Sequence, residues 1–273
     1  MSRLVLEQTL AGNTPLFSPF FLLGDPTPEI SFQILSACLR AGAPMLELGF
    51  AYSDPVADGP ALQRAAIRTR AGGTTVDGAF RLLSRLRSVS DAPFNLLVYG
   101  NLLHARGAKR FCRDAADAGA SSLLVPDCPL EENERLAETA SAAGLAFCDL
   151  VGPATSAERL RRIGTRVTGF IYRTGRQGVT GRGGSADALA DVAATVSATP
   201  HPVCVGFGIE THEQLEAVWG AGARIAVIGS ALARRIAAVE HCLTDPASVN
   251  TLIEGMASRV RAAVDASQRA KGD

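Results

Sequence analysis

Eight short apolar runs alternate with helix-period segments along all 273 residues, and no Pro/Gly/Ser-rich linker interrupts them. That alternation predicts an α/β fold, a single (β/α)8 barrel of the TIM type. Two further observations agree. The length is close to the roughly 250 residues of one such barrel, whereas a doubly wound sheet needs fewer strands and residues. The runs are near-continuously apolar, as parallel strands must be when helices cover them.

The predicted strands are PFFLLG (19–24), PMLELG (44–49), FNLLVYG (94–100), SSLLVPD (121–127), AFCDLV (146–151), VTGFIYR (167–173), PVCVGFG (202–208) and RIAVIGS (224–230). Most end in Gly, Asp, Asn or Ser, the residues that open a strand into a loop. Thr27-Pro28-Glu29 supplies a cap, a first-turn proline and a first-turn acid for a helix whose Ile30, Ile34 and Cys38 share one face. Val76, Phe80, Leu83 and Leu86 repeat the pattern. Val249, Leu252, Ile253, Met256, Val260 and Val264 form the longest stripe, on a C-terminal helix. We expect residues 1–273 to form one barrel domain with an N-terminal extension and that closing helix.

Composition excludes several function classes. The 27 basic and 27 acidic side chains cancel, so no electrostatic ground exists for a nucleic-acid or anionic-membrane partner. The first twenty residues carry no secretory core, and no run is long and apolar enough to span a bilayer. Six cysteines, Cys38, Cys112, Cys128, Cys148, Cys204 and Cys242, stand singly with no C-x-x-C pair. They read as buried apolar residues in a reducing cytoplasm.

A barrel of this kind holds its active site at the C-terminal ends of the strands, so the polar residues there carry the chemistry. Glycine-rich segments fill the last three strand-to-helix loops: Gly178-Val179-Thr180-Gly181, Gly206-Phe207-Gly208 and Gly229-Ser230. Bare backbone N–H groups and a helix N-terminus there suit a phosphate, and the Ser230 hydroxyl adds a donor. Tight turns alone would also use such glycines, but three at the expected loops favour a phosphorylated ligand.

Glu47 lies inside an apolar strand. Leu46 and Leu48 point the other way by strand alternation, so Glu47 faces the barrel interior, where an unpaired carboxylate is costly and its pKa rises. A satisfied buried glutamate is the structural alternative. The following loop, Phe50 to Pro60, is polar and proline-braced. Asp54 fits a turn-bracing role, and Asp58, beside Gly59-Pro60, is the better substrate contact.

Other mechanisms are short of residues. Only Lys109, in a helical segment, and Lys271, in the tail, exist, so a Schiff-base aldolase has no strand-end lysine. His104, His201, His212 and His241 are scattered and lie outside the strands, so no metal site and no metal-dependent aldolase is expected. No G-x-S-x-G elbow occurs. What remains is carboxylate acid–base chemistry on a phosphorylated substrate, with no cofactor.

At this point the residues resemble a known family. Leu46-Glu47-Leu48-Gly49, Ser53-Asp54-Pro55 and Ala57-Asp58-Gly59-Pro60 are similar to the signature of the tryptophan synthase alpha chain. Leu23-Gly24-Asp25-Pro26, Tyr99-Gly100-Asn101, Val125-Pro126-Asp127 and the three glycine segments follow in family order, from about residue 19 to 235. The resemblance implies a lyase that cleaves indole-3-glycerol phosphate to indole and glyceraldehyde 3-phosphate by a retro-aldol step. It implies Glu47 as general acid–base and Asp58 as the partner of the indole N–H. Thr180 would close the site and orient Asp58. Gly181, Gly208, Gly229 and Ser230 would bind phosphate, and Phe20, Tyr99, Tyr172 and Phe207 would wall the indole pocket. It implies too a pyridoxal-phosphate beta chain as partner in an alpha2-beta2 complex, docked through residues 50–62 and 175–185.

The sequence departs from the family in places. Ala51-Tyr52 stands where Pro-Phe is usual, and Leu22 where Thr is usual. Gly175-Arg176-Gln177-Gly178 replaces Ser-Arg-Thr/Ser-Gly, with Gly183-Gly184 beyond, and Asp149 replaces an apolar residue. The loop changes fall where a partner would dock. They leave open a stand-alone indole-3-glycerol phosphate lyase acting without a beta chain in a specialised pathway. A non-catalytic subunit that only activates a beta chain and a phosphate-binding isomerase are weaker alternatives, the first against intact Glu47 and Asp58, the second leaving the Asp54–Pro60 loop unexplained.

Overall fold

The computed structural model describes residues 2–175, 186–206 and 208–270. The elements run α1 (Ser2–Ala11), β1 (Leu16–Leu22), α2 (Pro28–Arg40), β2 (Leu46–Gly49), α3 (Pro60–Ala71), α4 (Val76–Arg87), β3 (Phe94–Leu97), α5 (Gly100–Arg106), α6 (Ala108–Asp117), β4 (Ser122–Leu124), α7 (Leu130–Ala142), β5 (Ala146–Val151), α8 (Ala157–Gly164), β6 (Ile171–Arg173), α9 (Ala186–Ser197), β7 (Val203–Val205), α10 (His212–Gly220), β8 (Ile225–Ile228), α11 (Ser230–Ala238) and α12 (Pro246–Arg269). A 3-10 turn, Glu240–Cys242, precedes α12.

Each strand pairs in parallel with the next, and β8 closes on β1. All eight predicted strands form, with shifted edges. β1 starts three residues earlier than the apolar run suggests. β6 is only Ile171–Arg173, because Thr168 and Gly169 both donate their amides to the single Phe147 carbonyl and so leave the ladder.

The strands alternate between two cores. On β1, Phe17 and Phe21 pack outward into the cluster shared with the helices, whereas Leu16, Phe20 and Leu22 pack inward with Tyr172, Cys148, Cys204 and Val227. Leu46 and Leu48 join the outer cluster, as alternation predicts. The N-terminal helix α1 closes the lower end: Leu6 packs fully buried into the inner cluster, and Arg224 donates to the Thr9 carbonyl at 2.9 Å.

The helix starts follow the cap residues. Thr27 accepts from the Ile30 amide and Thr75 from the Gly78 amide, while Asp245 accepts from Ala247 and Ser248 to open α12. α12 lies against α2 and β1, where its buried Leu252, Met256 and Val260 face the outer core. Among the described residues, no helix is long and apolar enough to cross a membrane.

Candidate functional site

Strand register brings the site together at the barrel mouth. Phe20 pairs with Glu47 across β1 and β2, and Glu47 pairs with Asn95 across β2 and β3. Glu47 is therefore an interior side chain flanked by a ring on one side and an amide on the other. Only 2% of it is exposed. Tyr172 donates a hydrogen bond to its carboxylate, while Oε1 has no hydrogen-bond partner. Burial dominates and pushes its pKa up to about 8; the Tyr172 bond opposes this, and the nearby Asp58 charge adds to it.

Asp58 reaches the site from the loop after β2. Phe50 anchors the start of that loop, its ring packed edge-on against Phe80 at 5.1 Å and tilted against Phe111 at 5.5 Å. Pro60 opens α3 at the far end, behind the Gly59 cap, and Gln63 Nε2 donates to the Asp58 carbonyl at 2.9 Å. Partial burial raises the Asp58 carboxyl to about 6, and a hydrogen bond from Tyr99 pulls the other way. Asp54 is exposed and contributes its backbone carbonyl to the turn, accepting from the Val56 amide at 2.9 Å.

Two acids thus sit close enough to interact, with different environments. Near neutral pH Glu47 is protonated and Asp58 ionised, the separation that lets one group donate a proton while the other holds a charge.

Of the predicted pocket aromatics, Phe20, Tyr99 and Tyr172 are all buried at this end. Tyr172 requires Gly206: a Cβ there would stand 1.7 Å from the Tyr172 hydroxyl. Phe207, Thr180 and Gly181 lie outside the described residues. The apolar walls that sequence reading missed are Leu22, Leu97, Leu124 and Leu150, which join the inner cluster. Among the described residues, Leu97 and Leu150 are the only half-buried strand residues. Inward position plus strand-end placement was the signal for them.

Of the predicted phosphate residues, Gly229 and Ser230 lie at the start of α11. Gly229 caps α11, and Ser230 is its first residue; the cap has no side-chain hydrogen bond and the first turn has no acid. The first amides of α11 therefore point outward unsatisfied by the helix. A Cβ on Gly229 would touch Phe20 at 3.0 Å, so this helix start adjoins the ring that flanks Glu47. Gly208 has φ +71°, a conformation glycine adopts at no cost.

Other buried polar groups hold the frame. Arg68 on α3 makes a two-pronged pair with Asp25 in the loop after β1, at 2.7 and 2.8 Å, and reaches Glu240 at 3.6 Å. Ser122 donates to Asn95 Oδ1 at 2.7 Å. Asp149 turns outward to α7, where Asn133 Nδ2 donates to both of its oxygens at 3.2 Å. Among the described residues no cluster of His, Cys, Asp and Glu is placed to hold a metal ion.

Comparison with known proteins decides the family. The model of the tryptophan synthase alpha chain family matches residues 6–261. The chain belongs to the tryptophan synthase alpha chain family. Membership makes it a lyase of the tryptophan synthase alpha type. It is 44% identical to the tryptophan synthase alpha chain of Synechococcus sp. (strain CC9902) over 221 residues, 80% of this chain and 82% of that one. It is 37% identical to the Corynebacterium efficiens alpha chain over 260 residues, 90% and 92% of the two. The barrel superposes on a tryptophan synthase complex structure from Pyrococcus furiosus with a TM-score of 0.82, at 26% identity, covering 93% of this chain and all of that one.

Proposed function

We propose that the chain cleaves indole-3-glycerol phosphate to indole and glyceraldehyde 3-phosphate, with Glu47 and Asp58 as its catalytic residues. The observation that carries the site assignment is the buried Glu47 carboxyl, one oxygen unpartnered, within the field of Asp58. Neutral Glu47 protonates the indole ring at C3. The Asp58 carboxylate accepts the indole N–H and stabilises the positive charge that the ring gains. The C3–glycerol bond then breaks: its electron pair returns to the ring, and the now ionised Glu47 takes the proton of the glycerol hydroxyl as that carbon becomes the aldehyde. The proton leaves and returns to one carboxyl, so no cofactor is needed.

The remaining residues bind. Phe20, Leu22, Tyr99, Leu97, Leu124 and Tyr172 form the flat apolar walls an indole requires, with few polar anchors. Gly208, Gly229 and Ser230 present amides and a hydroxyl to the phosphate, with the α11 dipole behind them. Thr180, Gly181 and Phe207 belong to this reading by family resemblance. A beta chain carrying pyridoxal phosphate is the partner that would consume the indole, and the cytoplasm is the compartment. One solved neighbour is a tryptophan synthase complex, which supports that pairing.

The test is steady-state indole release by the isolated chain, with and without a beta chain. Glu47→Gln is expected to abolish turnover; undiminished turnover in that variant would sink the assignment.

A further inference from the structure

Tyr52 takes no part in the chemistry above, yet it sits at the root of the loop that carries Asp58. Its ring stacks on Tyr99, centroids 5.2 Å apart and planes at 27°. Its hydroxyl accepts a hydrogen bond from Asn101 Nδ2 at 3.0 Å. Tyr99 is only 2% exposed, so the stack rests on a fixed base. The Tyr99 hydroxyl in turn accepts from the Ala57 amide at 3.1 Å and donates to Asp58. The Asn101 end is anchored too: the neighbouring Gly100 amide donates to Asp127 Oδ1 at 2.8 Å, tying the start of α5 to the loop after β4.

These contacts form one path from the β4 loop, through Asn101, Tyr52 and Tyr99, to Ala57 and Asp58. The tip of the same loop is open, with Val56 71% exposed. The inner strap, not the tip, therefore sets where the Asp58 carboxylate points.

We propose that Tyr52 is a positioning residue for the lyase reaction: with Asn101 it latches the loop after β2 onto the junction of β3 and α5, presetting Asp58 before substrate arrives. The inference rests on the role given to Asp58 above. A latch of one stack and one exposed hydrogen bond biases the loop by a modest factor. That factor multiplies the rate, because only the fraction of molecules with Asp58 in place reacts.

The experiment uses the full chain with Tyr52→Phe, Tyr52→Ala, Asn101→Ala and the Tyr52→Phe/Asn101→Ala pair. It reads kcat/KM for indole-3-glycerol phosphate against pH, and hydrogen exchange at the Ala57 amide. Tyr52→Phe and Asn101→Ala should each lower kcat/KM about threefold, the size of one exposed hydrogen bond. The double variant should fall no further, because both remove the same bond. Tyr52→Ala should fall roughly 20-fold, since it loses the stack as well. Its acid limb should move down from near 6 toward the ordinary carboxylate range as Asp58 regains water, and the Ala57 amide should lose protection.

Multiplying losses in the double variant, or wild-type protection and an unmoved acid limb in Tyr52→Ala, would overturn the latch. If the parent chain released no indole, the lyase reading would fail by itself, and Ala57 exchange would still decide whether the latch exists.

Discussion

Replacing Glu47 by Gln tests the electrostatics of the site apart from its chemistry. The native carboxyl is held near 8 by burial, from an ordinary value of 4.5. Its folded pKa is raised, so the neutral form is the one the fold favours. Its contribution to stability is complete below the unfolded value and is lost as pH climbs toward 8. Gln cannot ionise and carries no such loss. Taking about 1.4 kcal/mol per pKa unit, the native protein loses about 4 kcal/mol relative to the Gln variant between about pH 5 and about pH 8.5. Relaxation around the charge makes that an upper figure. Urea unfolding of both proteins at several pH values measures the difference, and Gln accepts the Tyr172 bond as the carboxyl did. A variant with unchanged activity loss but parallel stability curves, the gap moving by less than about 1 kcal/mol, would show that Glu47 is hydrated or paired and that its raised pKa is not the source of its chemistry.

Other perturbations follow from the same geometry. Tyr172→Phe removes a bond that favours the ionised Glu47, so the alkaline limb of kcat/KM should move up from about 8, measured by the pH profile of indole release. Gly206→Ala places a Cβ 1.7 Å from the Tyr172 hydroxyl. It should cut kcat at least as much as Tyr172→Phe; equal activity to the parent would show that the ring has room to move. Asp58→Asn should erase the acid limb near 6 and lower kcat/KM on the order of a hundredfold, within the range for a positioned acid–base or charge-stabilising group. Arg68→Met leaves Asp25 buried without its two-pronged partner and should cost about 3–5 kcal/mol of stability by denaturant unfolding; the Asp25→Asn/Arg68→Met pair should recover part of it.

How much of this was legible in the sequence depends on which face of a strand a residue occupies. The outward face is read from alternation against helices, so Leu46 and Leu48 place Glu47 inward from the sequence pattern alone, and their packing in the outer core and the register with Phe20 and Asn95 bear that out. The inward face is harder, because its residues are selected by what meets them across the barrel. Leu97 and Leu150 look like any strand leucine until register sets Leu150 beside Tyr172 and Leu97 between Gly49 and Leu124, both on the inner face. Asp149 shows the opposite case. Its charge within an apolar strand mimics the signal that marks Glu47, yet it turns outward and is matched by Asn133. The neighbours decide between them: Glu47 keeps an unpartnered oxygen at the mouth, while Asp149 is bonded to its helix. The strap from Asn101 to Tyr52 was illegible for a simpler reason. It joins a loop residue to the first turn of α5, 49 positions apart, and the composition of neither segment marks the pair.

The loop after β2 then links the two kinds of reading. Sequence alone marks it by its prolines and acids, and those define its ends: Phe50 buried in the outer core and Pro60 at the start of α3. Fixed ends leave the middle free, and a carboxylate on a free loop is solvated, with an ordinary pKa. Asp58 has a raised one because it is desolvated, the Tyr99 bond opposing the rise, and the Tyr52 stack on Tyr99 holds its loop in that buried position. Desolvation of Asp58 and its orientation toward Glu47 are therefore one structural event. Any change that loosens the loop must lower the rate and move the acid limb together, whereas a change that merely destabilises the barrel lowers the rate and leaves the limb in place.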